Sequence, residues 1–446
     1  MFKITHFANS FINIESDSSM ITCDPWIGKT TSNGWFSYPI QNKGKIDKKY
    51  FDSDFIYISH LHCDHFDIKT LKKFKNKKLT FLIKKFDNAT LKKRLQKITN
   101  NIIELDPFKK KIINKDFTVA IIPQIISNSK NLSDNINYDL DTSIIIQSNK
   151  DKTIFYNNVD NVLNLKILKK IKNFVKKEFN KSIDIFCYPI GAASEFPQCF
   201  LNLNRKKEKK KVIEETLKDA SLYVKYLKPQ FFFPAGGTYM IYGKYHKLNK
   251  YIAKPNFLEI KNKISSSQTK VSDLIGGGSI CFNQKSYTVI EKNFKKLKNF
   301  ETKFLNKIKN IKYYYSSNIN KIDLKNLDNI FDNAKKNYFK IFTKKINTDV
   351  NWNFNFKIYK NFEINDNCLI DSKKSILLKT YMLKNKTCNT KKEFKLECNL
   401  EYNLFKSLIN GKFPWNTSLS GSTIMYKRKP NIFNVDMVFS LNFLRI

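Results

Sequence analysis

Histidine is scarce in this 446-residue chain, with five in all, and three of them fall within six residues, His60 to His65. Paired cysteine motifs are missing: the eight cysteines are scattered and none forms a Cys-x-x-Cys. Without a Cys-x-His matched by a Cys-x-x-His, no Rieske cluster can be assembled from these residues. Scattered thiols fit a reducing compartment, where they stay reduced. No apolar run is long enough to span a bilayer. The start, Met1 to His6, lacks a secretory apolar segment and a small-residue cleavage site. A cytoplasmic location is the expectation.

Acidic residues are few beside basic ones: 39 Asp and Glu against 80 Lys and Arg, a formal net charge of +41. Such an excess raises nucleic acid or an anionic membrane as a partner. However, the basic residues are spread along the whole chain, and lysine far outnumbers arginine, the usual reader of bases and phosphates. Nucleic acid is therefore not an expected partner. The charge follows a general usage of Lys, Asn, Ile and Phe, and it remains compatible with an anionic small substrate. Hydrophobic content of 41% is ordinary for a globular chain of this length, which predicts two domains.

The informative stretch is Tyr57-Ile58-Ser59-His60-Leu61-His62-Cys63-Asp64-His65. An apolar run, Phe55 to Ile58, reads as a buried strand leading into it. His60 and His62 alternate and point the same way in extended chain, while Asp64 and His65 follow at the turn. Imidazole and carboxylate together suit zinc, iron or manganese. Further on, the strand from Thr153 ends at Asp160, another acid at a strand end.

Alternating strand and helix patterns predict an α/β fold. Strands are expected at Ile4–Phe7, Phe11–Ile14, Met20–Cys23, Leu79–Ile83, Ile102–Leu105 and Phe117–Pro123. Helices are expected at Ile68–Phe74, Ala89–Leu95 and Lys206–Leu227. Trp26 and Trp35 either wall a pocket or anchor their loop. The small residues around Ser194 allow close backbone approach to a ligand, and Gly236 and Gly237 follow another strand. His246 lies nine residues beyond. After about residue 285 the chain turns lysine- and aromatic-rich, with a helix expected over Lys321–Ile341 and strands from Val350 to Leu400. The expected division is 1–285 for the metal-binding part and 286–446 for a smaller α+β accessory domain.

The His-x-His-x-Asp-His spacing resembles the signature of the metallo-β-lactamase superfamily. The resemblance implies an αββα sandwich holding one or two divalent metal ions (iron, zinc or manganese). It implies His60 and His62 at one metal, Asp64 and His65 at the other, and Asp160 bridging them. Further stretches, including Asp24-Pro25-Trp26, Asp141-Thr142-Ser143, Gly191 to Pro197, Pro234 to Gly237 and Asn410 to Trp415, are similar to the CMP-N-acetylneuraminate hydroxylases and related nucleotide-sugar hydroxylases. That similarity implies oxygen-dependent hydroxylation of a nucleotide-activated or phosphorylated sugar, with electrons from a separate ferredoxin-like or Rieske protein. The superfamily at large implies instead hydrolysis of an ester, lactone or phosphodiester, Asp64 doubling as ligand and base. Two departures from the hydroxylase pattern stand out. The Rieske part is missing, and Asn137 stands where the family has a histidine, which leaves His60 and His62 short of a third ligand. A degenerate, non-catalytic sugar-nucleotide binding protein is the remaining reading. His246 is an approximate counterpart of a late family histidine.

Overall fold

The structure is a computed structural model. It describes all residues except 40–45, 47, 126–140, 192, 284–285, 293–298, 317–321, 346–350 and 386–392. Asn137 therefore lies outside the described residues.

Two large sheets face each other. The first has eight strands in the order Ser286–Ile290, Gly278–Asn283, Phe2–Ala8, Phe11–Glu15, Met20–Cys23, Phe55–Tyr57, Thr80–Lys84 and Ile102–Leu105. The second has seven, in the order Lys270–Val271, Phe231–Pro234, Ile185–Tyr188, Ile154–Asn157, Thr142–Ser148, Phe117–Pro123 and Lys110–Ile112. The period of two in each strand divides its side chains between faces. Phe2, Ile4, Ile12, Ile14, Phe55 and Tyr57 meet Val119, Ile121, Ile144, Ile146, Phe231 and Phe233 between the sheets. The alternate residues face outward and are covered by helices. Ile145, Tyr156, Phe186 and Phe232 pack under the helices Leu165–Phe179 and Arg205–Leu227. Ile56, Ile58, Phe81 and Ile83 pack under Ile68–Leu71 and Thr90–Leu95. This is the expected αββα sandwich. Both faces of the central strands are buried, which is why they read as continuous apolar runs.

The first sheet runs on to Ile290 through the antiparallel pairing of Gly278–Asn283 with Ser286–Ile290, past the compositional change at 285. The remaining chain forms a four-stranded sheet, Leu377–Asn385, Asn351–Tyr359, Glu393–Glu401 and Met425–Lys429, in that order. Its central pair, Asn351–Tyr359 and Glu393–Glu401, is parallel. Trp352, Phe354, Phe356 and Ile358 alternate onto one face and meet the helices Leu324–Lys345 and Tyr402–Ile409. Among the described residues, no helix is long and apolar enough to cross a membrane.

These C-terminal elements do not stand apart. One apolar core joins them to Trp26, Trp35, Phe36 and the Tyr239–Ile241 strand. The loop at 32–34 is tied directly to the C-terminal helix Trp415–Ser420 and the residue after it. Gly34 N–H donates to the Gly421 carbonyl at 2.7 Å, and Ser418 Oγ donates to the Ser32 carbonyl at 2.9 Å. Approach is so close that a Cβ on Gly421 would lie 1.8 Å from Asn33 Cβ and 2.8 Å from the Thr417 carbonyl. Neither atom is the free end of a flexible chain. Gly421→Ala is therefore expected to destabilise the protein by about 1–3 kcal/mol, read as a lowered urea midpoint.

Candidate metal centre

The first sheet delivers the histidine turn. Ile58 N–H still pairs with Leu82 O, and the chain then leaves the sheet. Its path is fixed by Asp24, fully buried at the end of the neighbouring strand. The Asp24 carboxylate accepts from Ser59 N–H at 2.8 Å, from Ser59 Oγ at 2.6 Å and from His65 Nδ1 at 2.9 Å. Burial pushes this carboxyl up, against the pull of His65. The turn closes through His65 N–H and Phe66 N–H, both bonded to the His62 carbonyl. Asp67 then caps the helix that follows by accepting from Thr70 N–H.

Each of the three histidines turns one ring nitrogen inward and the other to a fixed partner. His60 Nε2 lies 2.8 Å from His62 Nδ1 and 3.2 Å from Asp141 Oδ1, while His60 Nδ1 lies 2.8 Å from Ser59 Oγ. His65 Nε2 lies 3.0 Å from Asp160 Oδ2 and 3.4 Å from Asp64 Oδ2, with Nδ1 on Asp24. His62 Nε2 faces the Asn416 amide at 2.9 Å. Outer partners of this kind set the tautomer and aim of a metal-binding imidazole. Donor atoms of His60, His62 and Asp141 lie within 4.8 Å of one another, as do those of His60, His65 and Asp160.

The second sheet supplies the remaining acids. Asp160 follows the strand Ile154–Asn157 across Val159, which takes φ +51°. A β-branched residue rarely adopts that conformation. Here the turn is held by Asn157 Oδ1, which accepts from Val159 N–H, and by Asn158 Nδ2, which donates to the Asn161 carbonyl. Asp141 precedes the strand Thr142–Ser148, and Thr142 Oγ1 donates to the Ser59 carbonyl at 2.8 Å. That bond draws the acid against the histidine turn. Asp64 is held by Asn9 Nδ2 at 3.2 Å.

Electrostatics match a cation at this point. Burial holds His60 well below the usual imidazole range, so it is a neutral donor. Burial opposes charge on His65 too, yet Asp64, Asp160 and Asp24 together hold its imidazolium well above that range. Asp64 stays ionised because His65 and His62 outweigh its burial. The proton on His65 thus compensates carboxylates that a divalent ion would otherwise neutralise, and the mixed imidazole–carboxylate donor set fits such an ion.

Of the residues singled out from sequence, the structure brings together His60, His62, Asp64, His65 and Asp160. It does not bring His246 to them. His246 sits in the 3-10 helix Gly243–Tyr251 with Nδ1 at 2.9 Å from the Gly243 carbonyl, and it belongs to neither donor set. Trp26 is fully buried, and Trp35 stacks on Tyr239 at 4.3 Å and donates from Nε1 to Ser422 Oγ; both anchor the loop. Ser194 Oγ closes its own turn on Phe196 N–H. Gly237 (φ +64°) packs on Gly191, whose carbonyl would be 2.2 Å from an added Cβ. Gly236 (φ +94°) lies beside Asp160, its added Cβ falling 3.7 Å from Asp160 Oδ1. Asp141, Asp24, Asn9 and Asn416 were missed. Asp141 and Asp24 carried a signal, as acids at the ends of buried strands; Asn9 and Asn416 carry none.

Parts of this chain are similar to known proteins. No family model matches the sequence. Over 96 residues the chain is 32% identical to a protein named as a Rieske 2Fe-2S iron-sulfur protein in Mycolicibacterium smegmatis, covering 22% of this chain and 18% of that one. It is 24% identical over 291 residues to the cytidine monophosphate-N-acetylneuraminic acid hydroxylase of Pongo pygmaeus, covering 61% of this chain and 44% of that one. The chain thus spans less than half the length of these curated relatives. A metallo hydrolase from Ignicoccus hospitalis matches in structure with TM-score 0.42 and 18% identity, over 63% of this chain and 99% of that one.

The charged His65 provides a pH test. Its folded pKa lies above the unfolded value of about 6.5, so its ion pairing stabilises fully below that pH and is lost as pH rises through the folded value. In chelator-stripped protein, the advantage in melting temperature of wild type over Asp160→Asn is expected to be greatest in mildly acidic buffer and to shrink on alkalinisation. A constant difference would mean that the pair is not charged.

Proposed function

We propose that this chain forms the catalytic metal-binding part of an oxygen-dependent hydroxylase acting on a nucleotide-activated or phosphorylated sugar. The observation that carries the reading is the pairing of His60 and His62 with the Asp141 carboxylate. Two imidazoles and one carboxylate on one side of a site are the donor set of non-haem iron oxygenases. The neighbouring group, His65 and Asp160 with Asp64, would suit a second ion. Iron bound there would supply the electron transfers that activate dioxygen. The overall change is a C–H bond and O2 becoming C–OH and water, with uptake of two electrons and two protons. The electrons come from an iron–sulfur donor of the ferredoxin or Rieske class that these residues do not encode. Asp64, ionised and held by Asn9, is positioned to take or return a proton at Oδ2.

The similarity to cytidine monophosphate-N-acetylneuraminic acid hydroxylase supports a sugar-nucleotide substrate. A surface cavity approaches the centre at Gly236, next to Asp160. Gly236 and Thr238 line a small cavity together with Lys254 and Phe257. The last two also border a cleft of about 290 Å³ with Tyr38 and Lys209. Lysines there suit phosphate and aromatic faces suit a base.

Hydrolysis of an ester, lactone or phosphodiester is the second reading, supported by the ionised Asp64 as a water-orienting base. Elemental analysis of protein purified without added metal, as wild type, Asp64→Ala and Asp141→Ala, separates the readings. Near-stoichiometric iron that falls in both variants is the expected result. Zinc or manganese in its place directs the assignment to hydrolysis. Metal far below one ion per chain and unchanged in the variants leaves a non-catalytic sugar-nucleotide binding protein.

A further inference from the structure

We infer that the C-terminal region completes the metal centre through Asn416, a positioning residue that sets the tautomer and aim of His62. The inference rests on the metal-binding reading of the histidine cluster. His62 presents Nδ1 to the centre, 2.8 Å from His60 Nε2, and Nε2 to Asn416 Nδ2 at 2.9 Å, so that turning the amide over sets Oδ1 against Nε2. An imidazole that ligates through Nδ1 carries its proton on Nε2 and needs an acceptor there. His60 has Ser59 Oγ for its outer nitrogen, and His65 has Asp24. His62 has Asn416, 354 residues away. An amide offers an acceptor oxygen as well as a donor nitrogen, and half a turn of the group exchanges them.

The surroundings hold Asn416 in register. Its own backbone N–H donates to Asn442 Oδ1 at 3.1 Å, and the preceding Trp415 is buried with Nε1 bonded to the Leu444 carbonyl at 2.8 Å. The next residue, Thr417, meets Ser32 through their hydroxyls at 2.8 Å. Ser32 and Asn33 in turn reach Cys63 in the histidine turn, with Asn33 Nδ2 donating to Sγ at 3.3 Å. The helix Trp415–Ser420 is thus fixed to the loop at 32–34, and that loop to the turn it serves. Such redundancy places a single amide to within a few tenths of an ångström, as an outer partner of a ligand requires.

Cobalt(II) titration of the chelator-stripped full-length chain, followed by its visible absorption bands and by calorimetry, tests the assignment. Asn416→Ala is expected to weaken one class of bound cobalt by about 10–100-fold and to change its band pattern, because His62 loses its orientation. The His65–Asp160 class stays. Asn416→Asp, which restores an acceptor, is expected to recover the wild-type affinity and spectrum. Lys412→Ala, at the exposed turn before this helix, should change neither, and all variants are compared by circular dichroism and melting temperature. Wild type that binds cobalt with Asn416→Ala indistinguishable from it overturns the role of Asn416. So does a loss in Asn416→Ala that Asn416→Asp fails to recover. Wild type that takes up no cobalt overturns the metal-binding reading itself, and this role with it.

Discussion

Asp24 sits fully buried between the end of one strand and the start of the histidine turn, and its two oxygens take three hydrogen bonds, two from Ser59 and one from His65. An isolated buried carboxylate would be costly. Here every bond it accepts comes from the segment it must order, so its own satisfaction and the geometry of the turn are one requirement. Ser59 then reaches His60, and His65 reaches Asp160 and Asp64. The imidazoles cannot rotate without breaking this buried network.

The centre draws on three separate parts of the chain. The first sheet brings the histidines, the second brings Asp141 and Asp160, and the C-terminal helix brings Asn416 against His62. The two sheets present these groups at one edge because their strands end there, where the ladder no longer uses the backbone and the side chains are free to converge. The glycines at 191, 236 and 237 serve the same edge, letting two loops touch backbone to backbone beside Asp160. The +41 charge has no comparable focus. Lysines cover the outer helices, and the acidic residues that matter are the few turned inward.

Asp141 alters the meaning of an apparent loss. The resemblance to the hydroxylases implies that Asn137 leaves His60 and His62 short of a third ligand. The carboxylate four residues on is drawn to His60 by the pairing of Thr142 with Ser59. A carboxylate there makes the donor set harder, and therefore suited to iron or manganese more than an all-imidazole set would be.

By itself, the sequence determined the strands of the sandwich, the helix over Lys206–Leu227, and the crowding of His60, His62, Asp64 and His65 at a strand end, with Asp160 at another. Each rests on local pattern: period-two apolar residues, a charged helical run, or scarce ligating residues crowded at a strand end. The hairpin Gly278–Ile290, the helix Leu165–Phe179 and the short C-terminal helix Trp415–Ser420 went unread, although Leu165–Phe179 carries Ile167, Leu168, Ile171 and Val175 at helical spacing behind the cap Asn164. His246 looked suitable by position in the chain and is turned instead to its own helix backbone. Only the tertiary structure decided that Asp141 joins His60, that Asp24 holds His65 and that Asn416 faces His62. Those contacts span from 41 to 354 residues of chain, and no local periodicity encodes which distant polar group will meet a buried imidazole.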